Sequence, residues 1–393
     1  MFSFIKNFFQ SNRKDNFLIV TFLENKVESV VLRVDFINKD LIIEKVFTQE
    51  LPGISSSKDI TPDFLNYLRK IFSNVFYPKI YKVIFVFGSK LAMTNFGPVN
   101  VLRDNHYEII TEANLENLIS QATFNFFGPS RKCASNRLNT SELETVICDV
   151  RIYDVLLDKH SSIDFLKEKG KNLEFYLSET FCHREFLKKI IALLPTRARL
   201  VFVTEGGSIL THLVSRLIDK PFLFARVGIN ETNLFFKTKT GEISYLDSFK
   251  WGKENLYMAL AKELNISTDV AKSILMRYLE DKTSISFAKK FNILIKDELA
   301  LLSKGLELMK SKAKIRFLAL ELEPAFIKDL KLKNISSKSL VPIDFKIILD
   351  SFNFQINSKM ELYGLAALLE AYFTPQEDLI NKLARRRMRW LIP

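Results

Sequence analysis

The histidine and cysteine residues are the first candidates for chemistry, because they bind metals and act as bases or nucleophiles. The histidines are His106, His160, His183 and His212. They show neither the HxH nor the HExxH spacing that would place two imidazoles on one metal ion. The cysteines are Cys133, Cys148 and Cys182, without a CxxC pair. Cys182 and His183 are adjacent, but neighbouring side chains generally point apart, so we expect neither a metal site nor a nucleophile–base pair.

Glycine is scarce, at 12 of 393 residues, where about 7% is typical. Loops that hold phosphate need glycine, because their backbone N–H groups must approach the phosphate closely and some positions take a positive φ. The segment Gly206-Gly207-Ser208 follows a predicted strand, 200–203, and could turn into a helix in this way. It has neither GKS nor GxGxxG around it, so we favour an ordinary strand-to-helix turn.

The composition is typical of a folded globular protein, with 47% hydrophobic and 26% charged residues. At 393 residues the chain is longer than one ordinary domain, so we expect two lobes. The spacing of the cysteines, and the lack of an early apolar stretch with a cleavage site, favour a reducing cytoplasm. Apolar runs such as 83–87 and 190–194 are far shorter than the roughly 18–20 residues that cross a bilayer.

The net charge of +12 and the pI near 9.3 predict attraction to an anionic partner. This partner could be nucleic acid, a phospholipid surface or an acidic protein. The basic run 385–389 and the many aromatic residues could bind nucleic acid. Most of the 35 phenylalanines, however, lie within apolar runs, and no zinc-finger, RRM or helix-turn-helix signature is present. A nucleic-acid-binding protein is therefore the less favoured interpretation.

The first 220 residues predict an α/β lobe with a small insertion. Three segments rich in Val, Ile, Leu and Phe between polar breaks are typical of a β-meander: 16–23, 27–35 and 41–47. A helix starts at Thr61-Pro62-Asp63, which supply an N-cap, a first-turn proline and an acid that matches the helix dipole. A strand at 83–87, a helix at 115–124 and strands at 143–157 and 173–177 indicate the inserted subdomain. The lobe resumes with helix 183–194, strand 200–203 and helix 209–217.

A second lobe repeats this order. Its predicted strands are 222–227, 232–237 and 242–249, and its predicted helices are 251–264, 268–278 and 293–309. Two copies of a meander followed by helices indicate a duplicated α/β architecture.

The segment 226–233, with the sequence Arg-Val-Gly-Ile-Asn-Glu-Thr-Asn, resembles a phosphate-binding hairpin of a known family. It is similar to the Asp-Ile-Gly-Gly-x-x-Thr-Asp loop of the FtsA/PilM branch of the actin-like ATPases. The strand 234–236, the turn Gly241-Glu242-Ile243 and the helix entry Phe249-Lys250-Trp251-Gly252 follow it in the family's order. The insertion near 81–167 and the helix 362–367 also match this branch. The resemblance implies an actin-like fold in a protein that recruits division or pilus machinery to the inner membrane.

The loop departs from the family pattern where the family binds magnesium and phosphate. Arg226 stands in place of an acid, Ile229 in place of a glycine and Asn233 in place of the last acid. Gly228 and Thr232 alone are retained. The first loop of the family, Asp-Ile-Gly-Ser-x-Ser-Val, corresponds to 21–27. There Thr21 replaces the acid and Leu23 replaces the glycine.

The third family motif, a strand ending in Gly-Gly on the adenosine side, corresponds to 315–322, which contains no glycine. Three loops have therefore lost the groups that phosphate and metal binding need. We expect a pseudo-ATPase, with no enzymatic activity and no ATP or magnesium as cofactor.

The predicted fold class is α/β, with a duplicated actin-like (ribonuclease H-like) two-lobed fold. The predicted boundaries are an amphipathic N-terminal segment, 1–15; a first lobe, 16–220, with the insertion at about 80–170; a second lobe, 221–373, with a helical subdomain at about 251–310; and a basic amphipathic helix, 374–393.

The C-terminal segment predicts a helix that lies on an anionic membrane. A final helix packed on the body of the protein, or a solvated tail, is the alternative. Thr374-Pro375-Gln376-Glu377 matches a capping box with proline in the first helical position. Apolar and basic residues then fall on opposite halves of the helix, as in helices that lie at a membrane interface. The predicted membrane-binding residues are Leu379, Leu383, Arg385, Arg386, Arg389, Trp390 and Leu391. Phe4 and Phe8 offer a second apolar contact near the N-terminus, although packing into the first lobe is an equal alternative for them.

We therefore predict a peripheral adaptor on the cytoplasmic face of the cell membrane. The resemblance implies a tubulin-like division protein of the FtsZ type as partner. Lys262, Lys272 and Arg277 in the helical subdomain could bind an acidic tail of that protein. A PilM-like pilus scaffold that binds a pilus inner-membrane protein is the alternative. Self-association would strengthen weak membrane attachment through effective concentration.

Overall fold

The computed structural model describes most of the chain. The described residues are 14–23, 26–35, 37–50, 61–75, 81–161, 165–196, 198–280, 282–322, 326, 330, 332, 339–374 and 378–388. Within them the chain divides into two compact units. The first comprises residues 1–214, 240–243 and 352–393, and the second comprises 215–239 and 244–351.

The first unit contains a six-stranded sheet. Its main strands are β1 (Lys14–Phe22), β2 (Lys26–Asp35), β3 (Asp40–Glu50), β4 (Lys82–Phe87) and β9 (Arg199–Glu205). The order across the sheet is β3-β2-β1-β4-β9. The three meander strands are antiparallel, whereas β4 and β9 are parallel to β1 and to each other. A short strand, β15 (Gln355–Ile356), extends the β3 edge.

The second unit repeats this order with different residues. Its strands are β10 (Phe222–Val227), β11 (Thr232–Lys237), β12 (Ile243–Phe249), β13 (Phe317–Glu321) and β14 (Leu340–Pro342). They lie in the order β12-β11-β10-β13-β14. β10 is antiparallel to β11 and parallel to β13, as β1 is to β2 and β4. The repeated order confirms the predicted duplicated actin-like fold.

Four helices accompany the six-stranded sheet among the described residues of the first unit. They are α1 (Pro62–Val75), α3 (Arg184–Ile191), α4 (Gly206–Ser215) and α9 (Leu362–Phe373). The side-chain oxygen of Thr61 accepts a hydrogen bond from the N–H of Phe64 at 3.3 Å, so α1 has the N-cap that the sequence predicts. Phe22, Phe64 and Phe186 lie at the centre of the core that α1 and α3 form with the sheet.

The inserted subdomain is a sheet covered by one long helix. Its elements are β5 (Ala92–Leu102), α2 (Glu112–Arg137), β6 (Thr145–Leu157), β7 (His160–Ser161) and β8 (Asn172–His183). The strands lie in the order β5-β8-β6-β7, and α2 packs on one face. α2 is much longer than the predicted helix 115–124, because the helix begins at the N-cap Thr111 and continues through Gly128 and Pro129.

The second unit contains four helices in the part of the chain that the structure describes. They are α5 (Lys253–Leu264), α6 (Thr268–Leu279), α7 (Ile285–Ala313) and, at its end, α8 (Phe345–Phe352). The side chains of Ser267 and Ser284 cap α6 and α7. Apolar residues of α5, α6 and α7, among them Leu256, Leu275 and Leu302, form one core with β10 and β13.

The C-terminal part of the chain belongs to the first unit, which corrects the predicted boundary at 373. Residues from Phe352 onward, including α9 and the last helix, α10 (Leu379–Met388), pack with the first unit. The reason is the composition of α9, whose residues from Tyr363 to Glu370 are all buried. A helix that is apolar on nearly all sides must be covered, and β1, β4 and β9 cover it.

Candidate functional site

The hairpin between β10 and β11 is the loop that resembles a phosphate-binding loop. Its turn is closed by the N–H of Gly228, which donates to the carbonyl of Glu231 at 2.9 Å. The N–H groups of Lys253 and Glu254, in the first turn of α5, donate to the carbonyls of Gly228 and Ile229, each at 2.9 Å. The free N–H groups of a helix N-terminus are the usual donors to a phosphate. Here main-chain carbonyls of the hairpin already accept them.

Gly252 permits this contact between the hairpin and α5. A Cβ atom at this position would lie 2.2 Å from the carbonyl oxygen of Ile229, so no other residue fits without a backbone shift. The hydroxyl of Thr232 donates to the carbonyl of Trp251 at 2.7 Å and ties the hairpin to the same turn. Glycine is therefore needed here for the approach of the hairpin to α5.

The two loop positions that correspond to acids of the family pattern carry no carboxylate. Arg226 and Asn233, which replace the two acids of the family pattern, are both buried and are register partners on β10 and β11. The side-chain N–H of Asn233 donates to the carboxylate of Glu231 at 3.4 Å. Magnesium prefers carboxylate oxygens, which an arginine and an asparagine do not supply. Throughout the described ranges, no group of three or more His, Cys, Asp or Glu residues could hold a metal ion.

The first loop is tightly packed as far as the structure describes it. Thr21 and Leu23 are buried, and the N–H of Leu23 donates to the carbonyl of Lys26 at 2.9 Å. Gly364 of α9 lies against Thr21, because a Cβ atom on this glycine would be 3.1 Å from the threonine hydroxyl. α9 therefore occupies the space beside Thr21.

A carboxylate of the protein itself occupies the N-terminus of α4. Glu205 is fully buried at the end of β9, and its two oxygens accept the N–H groups of Gly207 at 2.8 Å and Ser208 at 2.7 Å. The hydroxyl of Ser89 donates to the same carboxylate at 2.8 Å. This is the position that an external anion would take at a helix N-terminus. Glu205 was not among the predicted site residues, although an acid directly before Gly-Gly-Ser at a strand end is a usable signal.

Polar side chains form hydrogen bonds with main-chain groups along the edge strand β9. Arg151, which is only 1% exposed, donates to the carbonyl of Val201 at 2.6 Å and to that of Thr374 at 2.5 Å. Its Nε also donates to Asp149 at 3.3 Å, and Asp149 accepts the N–H of Val203 at 3.3 Å. These bonds satisfy main-chain groups that an edge strand leaves without partners. They also join the inserted subdomain to the sheet of the first unit.

The helix α10 is anchored to the same edge. The side-chain amide of Asn381 accepts the N–H of Ile152 at 2.9 Å and donates to its carbonyl at 3.1 Å, next to a bulge in β6. Arg385 donates to Asp149 at 2.6 Å and to the carbonyl of Val201 at 3.0 Å. α10 thus satisfies the polar groups of β6 and β9.

The apolar face of α10 packs on the inserted subdomain. Leu383, Ala384 and Met388 are buried in one core with α2 and β6. Arg386 and Arg387 pair with Glu116 of α2, and the hydrogen bond from Arg386 holds the pKa of Glu116 below its ordinary value.

The prediction that Leu383 and Arg385 face a membrane is therefore wrong for this structure, because a protein core takes the leucine and a carboxylate takes the arginine. Leu379 is partly exposed at the start of α10, and Arg386 lies at the surface. The remaining predicted contacts fall outside the described residues: Phe4, Phe8, Arg389, Trp390 and Leu391.

The three predicted partner-binding residues lie on two consecutive helices and are all exposed. Lys262 is in the last turn of α5, Lys272 is within α6, and Arg277 is in the last turn of α6.

Cys148 and Cys182, which the sequence analysis treated as unrelated, are brought into contact. Both are buried in the core of the first unit, where β6 pairs with β8. Burial raises the pKa of the Cys148 thiol, and its contact with Cys182 raises it further. Buried thiols of this kind are unreactive, so the pair is part of the core.

Among the helices that the structure describes, none has the length and apolar composition to cross a membrane.

Comparison with known proteins gives similarity of fold only. No protein-family model and no curated protein matches the sequence. One similar solved structure is that of the PilM–PilN type IV pilus biogenesis complex, with 12% identity over 96% of this chain and 99% of that chain and a TM-score of 0.48. The archaeal actin homologue Ta0583 shares 10% identity over 90% of this chain and 99% of that chain, with a TM-score of 0.42. The ethanolamine utilization protein EutJ from Carboxydothermus hydrogenoformans shares 8% identity over 90% of each chain, with a TM-score of 0.41.

Proposed function

We propose that this protein is an actin-like scaffold that binds partner proteins without binding or hydrolysing ATP. The proposal rests on the N-termini of α4 and α5, where the N–H groups already have acceptors within the protein. In α5 the hairpin carbonyls accept the N–H groups, and in α4 Glu205 accepts them. A triphosphate would have to displace these acceptors, and Arg226 and Asn233 do not offer the carboxylate oxygens that its magnesium ion prefers.

Two partner classes fit a scaffold of this fold. The resemblance to FtsA suggests a tubulin-like division protein, and the resemblance to PilM suggests a pilus inner-membrane protein such as the PilN of the PilM–PilN complex. We propose that Lys262, Lys272 and Arg277 contribute to the partner surface, because exposed cations on adjacent helices attract an acidic segment.

Capture with each candidate partner tests this proposal. The full chain is immobilised and offered a tubulin-like division protein and a PilN-like protein, and the triple variant with glutamate at 262, 272 and 277 is the matched comparison. Binding of one partner that falls at least tenfold in the variant supports the scaffold and identifies its pathway. Equal binding by the variant would show that this surface is not used. Failure of both partners to bind, together with measurable phosphate release from ATP, would contradict a scaffold without catalysis.

We also propose peripheral attachment to the cytoplasmic face of the membrane, through basic side chains that stay at the surface while α10 is packed. Arg386 and Arg387 lie outward on α10, and the positive net charge favours anionic lipid.

The test of membrane attachment is pelleting of the protein with anionic and with neutral vesicles. Because α10 is part of the core, deletion of the segment would confuse attachment with folding, so we compare the double change of Arg386 and Arg387 to serine with Arg184→Ser on α3. Binding to anionic vesicles that only the double variant loses supports attachment, and equal pelleting of all three proteins contradicts it.

A further inference from the structure

Glu179 is an ionisable group that the proposed function does not use. It lies in the middle of β8, is 0% exposed, and neither carboxylate oxygen has a hydrogen-bond partner. Buried carboxyl groups are nearly always paired or hydrogen-bonded, because an ionised carboxylate is very costly to remove from water. Burial therefore favours the protonated form of Glu179 and raises its pKa well above the ordinary value.

The side chain of Glu179 lies on the face of the sheet that α2 covers. Alternate residues of β8 share this face, and Leu177 and Phe181 on either side of Glu179 belong to the core that contains α2. Asn95 of β5 is directly opposite Glu179 in the register, and its side-chain N–H points to the carbonyl of Ser130 in α2, at 3.5 Å. Cross-strand partners stand side by side, so α2 passes over both residues.

The residues identified beside Glu179 are uncharged. They are Asn95 from β5, Val150 from β6, Ser130 and Ala134 from α2, and Met388 from α10. None of them ionises near neutral pH. Arg137, at the end of α2, has buried guanidinium nitrogens, but the raised pKa of Glu179 is attributed to burial and not to a charged neighbour. The charge state of Glu179 is thus set by burial alone.

The helix above Glu179 is continuous but lacks one main-chain hydrogen bond at this place. Pro129 has no N–H to donate to the carbonyl of Asn125, and Gly128 has no atom within 4 Å of the position of a Cβ. We call this missing hydrogen bond the Gly128–Pro129 break. The two halves of α2 also differ in their contacts with the sheet. Before the break the buried residues are Leu115, Leu118, Ile119, Ala122 and Thr123, and after it they are Ser130, Ala134 and Ser135. The second half therefore buries less apolar area than the first, and Arg131 ties it to the carbonyl of Glu142 at 2.8 Å.

We propose that Glu179 and the Gly128–Pro129 break form a pH-sensitive hinge, in which the segment 130–137 stays on the sheet while Glu179 is protonated and lifts off when Glu179 ionises. Lifting admits water to the carboxylate, which is what the ionised form requires. The sign follows from linkage. Between the ordinary carboxyl pKa and the raised pKa of the closed state, the opening equilibrium increases about tenfold per pH unit, and below this range the closed form is fully favoured.

Hydrogen exchange of the full-length protein, measured by mass spectrometry, tests the hinge. Wild type and Glu179→Gln are compared at each pH from about pH 5 to about pH 9, so that the chemical effect of pH on exchange cancels. We expect the ratio of exchange rates, wild type to variant, to rise about tenfold per pH unit for 130–137. The ratio for 115–122 should stay near one, because this half of α2 keeps its apolar contacts.

A ratio for 130–137 that is independent of pH would overturn the proposal, as would an equal rise in both halves of α2. Should Glu179→Gln not fold, Pro129→Ala in the wild-type background replaces it. That change adds the helical N–H, so exchange of 130–137 should be slower than in wild type at the same pH. Exchange as fast as in wild type would also overturn the hinge.

Discussion

The N-termini of α4 and α5 present the same main-chain feature but are filled in different ways. At α4, one side chain, Glu205, accepts two N–H groups. At α5, the main-chain carbonyls of Gly228 and Ile229 accept the N–H groups of Lys253 and Glu254. One substitution can therefore remove the acceptor at the N-terminus of α4, whereas the acceptors at the N-terminus of α5 are removed only by a shift of the backbone.

Gly252→Ala should have the largest effect. The new Cβ would lie 2.2 Å from the carbonyl oxygen of Ile229, so the hairpin and α5 must move apart. We expect a loss of unfolding free energy of about 3 kcal/mol or more, measured by urea denaturation. Gly128→Ala is the matched control, because nothing lies within 4 Å of its Cβ position. A loss under about 1 kcal/mol in Gly252→Ala would show that the contact between hairpin and helix is loose.

Glu205→Ala should have the second largest effect on stability, and unlike Gly252→Ala it should also change the response of the protein to anions. The change leaves the N–H groups of Gly207 and Ser208 without their acceptor, at a cost of about 2–3 kcal/mol. Because the site then resembles an empty anion site, phosphate or sulfate should raise the melting temperature of the variant more than that of wild type, at matched ionic strength. Equal stabilisation of both proteins would mean that the anion acts elsewhere.

Thr232→Val tests the side-chain contribution at α5. The valine removes the hydrogen bond to the carbonyl of Trp251 and keeps the shape, so we expect a loss of about 1–2 kcal/mol in thermal or urea denaturation. Thr232→Ser, which keeps the hydroxyl, should recover most of it. A serine variant as unstable as the valine variant would assign the effect to packing of the methyl group.

Asn255→Ala should have the smallest effect. The side-chain oxygen of Asn255 accepts the N–H of Gly252 at 3.0 Å. Its loss should cost about 0.5–1 kcal/mol, because water can replace the acceptor at this half-buried position. A loss as large as that of Gly252→Ala would mean that the asparagine, rather than the close backbone approach, holds the turn.

The sequence predicts the strands of the second unit well, because their pattern is local. The predicted bounds 222–227 and 232–237 are those of β10 and β11. The helix α2 is predicted too short, since Gly128 and Pro129 weaken the helical pattern and the residues after them are small and polar. Glycine loss at 21–27 and 226–233 was visible in the sequence, but the acceptors that fill the helix N-termini are visible only in three dimensions.

The C-terminal helix shows what a local pattern cannot decide. Its amphipathic sequence is compatible with a membrane or with a protein surface, and the pattern is the same in both cases. The partner of Arg385 is Asp149, which lies 236 residues away in the sequence. The main-chain groups that Asn381 binds belong to Ile152, 229 residues away. Contacts of such separation depend on the fold as a whole.

The most direct test of the central claim is titration calorimetry of the purified full-length chain with ATP and magnesium. We predict no saturable heat, because the N–H groups at the N-termini of α4 and α5 already have acceptors within the protein. Saturable binding with a dissociation constant in the micromolar range would contradict it and would show that ATP displaces these internal acceptors.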